Sequence, residues 1–180
     1  EEDLFASVWD SAKNRAPWLF VNLVTAFIAS RVIGVFEDTI ARLVALATLM
    51  PIVASIGGNA GNQSVALVLQ GLASGELGAG KLRRALLREI SIGAVSGAML
   101  APALGLVTLL LYRDLRLAAL TALAMLCNMV FAAVIGVAAP IALHRLGRDP
   151  VLGSSIILTA TTDSFGFFVF LSLAALFLPL

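Results

Sequence analysis

The chain has 180 residues, of which 60% are hydrophobic and only 13% charged, with a net charge of +1 and a mean hydropathy of +1.01. Soluble domains run near 45–50% apolar and about 25% charged, so a water-soluble globular fold is excluded. No basic tract with interleaved aromatics points to nucleic acid. The single cysteine, Cys127, rules out an internal disulfide and reads as a small buried hydrophobe.

The sequence opens Glu1-Glu2-Asp3, without an initiator Met or the basic start of a secretory leader. This is the opening expected of a segment whose preceding part has been removed. Residues 1–15 read as an amphipathic, charged cytosolic lead-in, and 16–180 as a transmembrane unit embedded in lipid. Five hydrophobic blocks follow: about Pro17–Phe36, Ile40–Leu72, Ala85–Tyr112, Leu117–His144 and Val151–Leu178. The expected class is an all-α integral membrane bundle of five helices. Five is odd and no internal repeat is visible, so a two-fold inverted-repeat transporter within one chain is not indicated.

Basic residues set the expected orientation. With the N-terminus cytoplasmic, that side holds Lys13, Arg15, Lys81, Arg83, Arg84, Arg88, Arg145 and Arg148. Arg113 and Arg116 then lie outside, with Arg31 and Arg42 near the outer helix ends. The positive-inside rule therefore favours N-in, C-out. The Glu37–Asp38 corner reads either as a concentrator of cations or as a solvated helix start. His144 reads as interfacial, and Glu89 beside Arg84 and Arg88 as a local ion pair.

The second block is too long for one crossing. About 33 helical residues reach roughly 50 Å, against a ~30 Å hydrocarbon core. Pro51 and the run Gly57-Gly58-Asn59-Ala60-Gly61-Asn62-Gln63 predict a break in this helix, because glycine and proline are poor helix formers. Backbone unwound at that depth is tolerated only where it is buried in protein or lines a wet cavity. The freed carbonyls and amides would be hard oxygen ligands, or partners for water around a hard cation. The alternative is a polar joint that merely docks helices.

In the third and fourth blocks, Gly93 with Gly97 and Ala132 with Gly136 predict close helix packing. The fifth block has a clear start, with Asp149 as cap and Pro150 in the first turn. Asp163 is the only ionisable side chain from Val151 to the C-terminus. A carboxylate at membrane depth costs roughly 2.5–3.5 kcal/mol on insertion scales, which makes it a functional-site hypothesis by default. Ser155, Thr159, Asp163 and Gly166 share one helical face, with Thr162 beside it. That small polar stripe suits an ion path. The alternative is an Asp neutralised by protonation or paired with Arg31. No nucleophile–base pair appears, so enzymatic chemistry is not expected.

Pro51 followed by Gly57-Gly58-Asn59-Ala60-Gly61-Asn62-Gln63-Ser64 resembles the Pro…GGNxGxQ signature of the MgtE family of magnesium channels. Pro17-Trp18-Leu19 through Phe36-Glu37, Asp149-Pro150, and Thr161-Thr162-Asp163 with Gly166 look like the same family in the same order. The resemblance covers essentially the whole chain. It implies a homodimer with five membrane helices per subunit and a pore between subunits, lined by the second and fifth. The family's selectivity aspartate maps onto Asp163, and its glycine–asparagine segment onto Gly57–Gln63. The implied substrate is a largely hydrated Mg²⁺, held by Asp163 and by carbonyls near Thr159, crossing a bacterial or archaeal plasma membrane. Cytosolic sensor domains commonly precede this unit in the family, joined by a plug helix of which Leu4–Lys13 would be the tail. Ser154-Ser155-Ile156 departs from the Pro or Asn-Pro often found there. A secondary transporter coupling a divalent cation to Na⁺ or H⁺ fits the same residues and stays open as an alternative.

Overall fold

The computed structural model describes residues 7–75 and 81–178. They form six helices: α1 (Val8–Val35), α2 (Glu37–Arg42), α3 (Ala45–Ala73), α4 (Leu82–Tyr112), α5 (Leu115–Arg145) and α6 (Pro150–Phe177). By length and composition, α1, α4, α5 and α6 are each able to cross a membrane. The all-helical expectation holds, with one helix more than the five blocks. The second block divides at Leu43, whose backbone leaves helical geometry (φ −138°, ψ 88°), into short α2 and long α3.

The expected break at Gly57–Gln63 does not occur: α3 is one continuous helix through Pro51 and all three glycines. Glycine's helical cost of about 1 kcal/mol per residue is outweighed by two effects. An unpaired backbone group in lipid costs several kcal/mol, so the helical ladder is kept. The glycines also sit where neighbouring helices approach most closely, so their missing side chains are used in packing.

The ends are fixed by local chemistry. Asp149 Oδ1 accepts from the Val151 and Leu152 amides at 2.8 and 3.4 Å, the cap expected from sequence. Asp114 Oδ1 does the same for Arg116 and Leu117 at 2.8 and 3.1 Å. Between α5 and α6 the chain turns at Gly147, whose φ of 65° suits a residue without Cβ.

Helix α5 is the centre, packed against α3, α4 and α6, while α3 also touches α6 and α1 lies outside on α6. One end of the bundle holds the apolar core. There Leu46, Leu49, Met50 and Val53 of α3 meet Leu117, Leu120, Met125 and Met129 of α5 and Phe170, Leu171 and Ala174 of α6. Phe170, in the C-terminal half of α6, is fully buried, whereas Phe168 is exposed apart from an edge contact with Phe36.

Elsewhere, backbones meet through small residues. A Cβ on Gly136 would lie 2.6 Å from the Gly61 carbonyl oxygen and 2.8 Å from Ser64 Cβ. One on Gly93 would lie 2.9 Å from Ala133 Cβ, and one on Gly97 2.6 Å from Leu126 Cδ1. The packing role expected of these pairs is therefore met. Gly136→Ala should cost about 1–3 kcal/mol, since the Gly61 backbone has to yield. Ala98→Leu, on the exposed face of α4, should stay within about 0.5 kcal/mol. Unfolding of the purified protein in mixed micelles measures both.

Candidate functional site

The two segments singled out from sequence lie against each other. Helices α3 and α6 run antiparallel along a seam in the half of the bundle away from the apolar core. At one level, Cβ atoms on Gly57 and on Gly166 would both run into the Asn128 carboxamide. Next, a Cβ on Gly58 would stand 3.6 Å from Thr162 Oγ1, an ordinary contact. Then Gly61 receives Leu158, whose Cδ1 would be 2.5 Å from an added Cβ. Finally, Ser155 Oγ donates to Asn62 Oδ1 at 3.0 Å.

Several polar residues along this seam are exposed in the single chain. On α3, Ser55, Asn59 and Gln63 are exposed and Gly58 and Asn62 half-buried. On α6, Ser155 and Thr159 are exposed, Asp163 is half-buried, and Thr162 and Gly166 are buried. Thr162 donates to the Leu158 carbonyl at 2.9 Å and lies 3.3 Å from the Thr159 carbonyl, so its hydroxyl satisfies its own helix. Carbonyls of Gly57–Asn59 belong to the continuous helix and are not freed by unwinding, which corrects the expected donor set: side chains of α3, not loose backbone, reach this face. Arg31 is exposed on α1, and no ion pair joins it to Asp163. Among the described residues no cluster of three or more His, Cys, Asp or Glu side chains is present.

Two further polar groups, Glu89 and Asn128, are buried. Glu89 does meet Arg88 (3.4 Å), as expected, but it is only 6% exposed and also accepts a 2.7 Å hydrogen bond from Ser64 on α3. It borders a cavity of about 330 Å³ between α3 and α4, lined also by Asn59, Gln63, Ser64 and Ser96. Asn128 of α5 is fully buried; its Nδ2 donates to the Val53 carbonyl at 3.0 Å, while Oδ1 has no partner. An orphaned buried acceptor costs about 1–3 kcal/mol. The signal was available: Asn128 is the one amide side chain in the apolar 31-residue helix α5.

Comparisons with known proteins bear on this arrangement. The MgtE family model, described as a divalent cation transporter, matches residues 50–173. The magnesium transporter MgtE of Bacillus subtilis is 29% identical over 168 residues, which is 93% of this chain and 37% of that protein. Its namesake from Thermus thermophilus is 31% identical over 166 residues (91% and 36%), and that from Enterococcus faecalis 26% over 177 (98% and 39%). The chain thus spans less than two fifths of the length of these relatives.

The Ser155–Asn62 bond offers a direct check on the seam. Interhelical hydrogen bonds in membranes average about 0.6 kcal/mol by double-mutant cycle. Ser155→Ala and Asn62→Ala should couple by about that amount in an unfolding cycle, whereas Ser155→Ala with Ser91→Ala on α4 should show no coupling.

Proposed function

This chain belongs to the MgtE family of divalent cation transporters, and on that premise we propose that it is the conducting unit of a Mg²⁺ channel. Two copies face each other across the polar sides of α3 and α6, with α3 as the fifth membrane helix of each subunit. Asp163, Asn59, Gly61, Asn62, Gln63, Ser155, Thr159, Thr162 and Gly166 line or border the path, beside Gly57 and Gly58. The N-terminus lies in the cytoplasm and the C-terminus outside the plasma membrane, with residues 1–15 leading in from the cytosol. A transport role, not a catalytic one, goes with the family.

The observation that carries this reading is the uncovered polar face. The chain otherwise exposes Leu19, Phe20, Phe27, Val95, Leu106, Leu110 and similar residues, as lipid contact requires. Polar side chains at membrane depth face a bundle interior or water, not acyl chains. A second copy covers the face and leaves water between the two. Symmetry then brings two Asp163 carboxylates to one constriction. Mg²⁺ sheds water reluctantly and is bound by few protein oxygens. The pair therefore holds a largely hydrated ion through its waters, with the Thr159 carbonyls and the Asn59 amides taking further water hydrogen bonds. Two negative charges favour a divalent over a monovalent ion, and the width between subunits sets Mg²⁺ apart from Ca²⁺. The relatives' name as magnesium transporters supports the choice of ion.

A coupled secondary transporter uses the same polar face but needs a driving gradient. In liposomes holding the full-length protein, Mg²⁺ influx should proceed without a Na⁺ or proton gradient, and planar bilayers should show ohmic unitary currents. Asp163→Ala should lower Mg²⁺ flux at least tenfold. Wild-type flux in that variant overturns the site, and flux only under an imposed gradient overturns the channel.

A further inference from the structure

We propose that Asn128 is a positioning residue for the ion path, a buried spacer that sets the distance between α3 and α6 at the level of Asp163. The inference rests on the reading of the α3–α6 face given above, and it concerns a residue of α5 that does not touch that face.

The geometry is specific. The carboxamide of Asn128 is fully buried and lies against two glycines, Gly57 of α3 and Gly166 of α6. A Cβ on Gly166 would stand 2.9 Å from Nδ2 and 3.4 Å from Oδ1, and one on Gly57 would collide with Nδ2. No other side chain fits between Asn128 and either helix backbone. Its Nδ2 donates to the Val53 carbonyl, one turn before Gly57 on the same helix. That carbonyl is already the acceptor for the Gly57 amide in the α-helical ladder, so α3 is gripped by its backbone, not by a side chain free to rotate. Gly166 lies one turn beyond Asp163 on the shared face of α6. One rigid, planar group thus spans both lining helices a single turn from the carboxylate.

Packing alone does not call for an amide here. Oδ1 has no partner, and an orphaned buried acceptor costs more than one interhelical hydrogen bond returns in a membrane protein. An apolar side chain of similar volume fills the same space without that cost. What the amide adds is direction: a hydrogen bond that holds α3 at one rotation and one distance, which leucine cannot supply. A hydrated ion is discriminated by path width, so a few tenths of an ångström at this level alters selectivity before it alters folding.

The test uses the full-length protein in liposomes and compares wild type, Asn128→Leu and Asp163→Ala. Asn128→Leu should keep or raise the thermal midpoint, and should keep Mg²⁺ flux within about threefold. Its Mg²⁺/Ca²⁺ flux ratio should fall about tenfold. A folded Asn128→Leu protein with a ratio within twofold of wild type overturns the proposal. If leucine prevents folding, Asn128→Ala takes its place: it removes the carboxamide and its donation to the Val53 carbonyl without adding bulk or charge, and the same two outcomes apply. Asp163→Ala separates the two levels of the argument. Wild-type flux there sinks the reading of the site itself, whereas impaired flux there with an unchanged ratio in the Asn128 variant sinks only the spacer.

Discussion

How closely α3 approaches α5 and α6 decides the rest of this structure. Lipid tails are as apolar as leucine, so helices in a bilayer gain little from burying hydrophobic surface and associate through close packing and hydrogen bonds. Here the closest approaches run through Gly57 against Asn128, Gly61 against Leu158 and Gly136 against the Gly61 carbonyl. Those contacts fix the seam between α3 and α6. The seam in turn fixes which side chains point outward: Asn59 and Gln63 on one helix, Ser155 and Thr159 on the other, with Asp163 beside them.

The bundle is divided along its length. One end is held by large apolar side chains, among them Phe170, Leu171, Leu46 and Leu117, all buried. The other half contains Gly58 and Gly61 of the α3–α6 seam, the interhelical bond of Ser155 to Asn62 and the buried Glu89–Ser64 pair. Rigid packing at one end supports a half built of small residues, where room for water is compatible with a fixed backbone. The proposed conducting face lies in that second half, and α1, which is exposed along most of its length, takes no part in it.

Much of this was legible in the residues, for definable reasons. Composition and block length gave the all-helical membrane class, and Asp149-Pro150 gave the start of α6 because a cap is a local, two-residue interaction. Helical spacing puts Ser155, Thr159 and Asp163 on one side of α6, whereas Gly166, expected on the same face, is buried against Asn128; the same spacing rule brought out Gly93, Gly97 and Gly136. The fate of Gly57–Gln63 was not legible. Propensity favours a break there, and only the neighbours across the seam, distant in sequence, explain why the helix continues. Asn128 escaped notice for a related reason. Its meaning depends on Val53, Gly57 and Gly166, which lie on two other helices.

In the proposed assembly the outward side of the α3–α6 seam meets water, not lipid. Single cysteines in a Cys127→Ala background, probed with a membrane-impermeant, water-soluble thiol reagent, test it most directly. Asn59→Cys, Gln63→Cys and Thr159→Cys should react, and millimolar Mg²⁺ should slow the reaction at Thr159→Cys. Val95→Cys and Leu106→Cys, on the exposed apolar side of α4, should stay unreactive. Equal inertness of Thr159→Cys and Leu106→Cys would contradict the account.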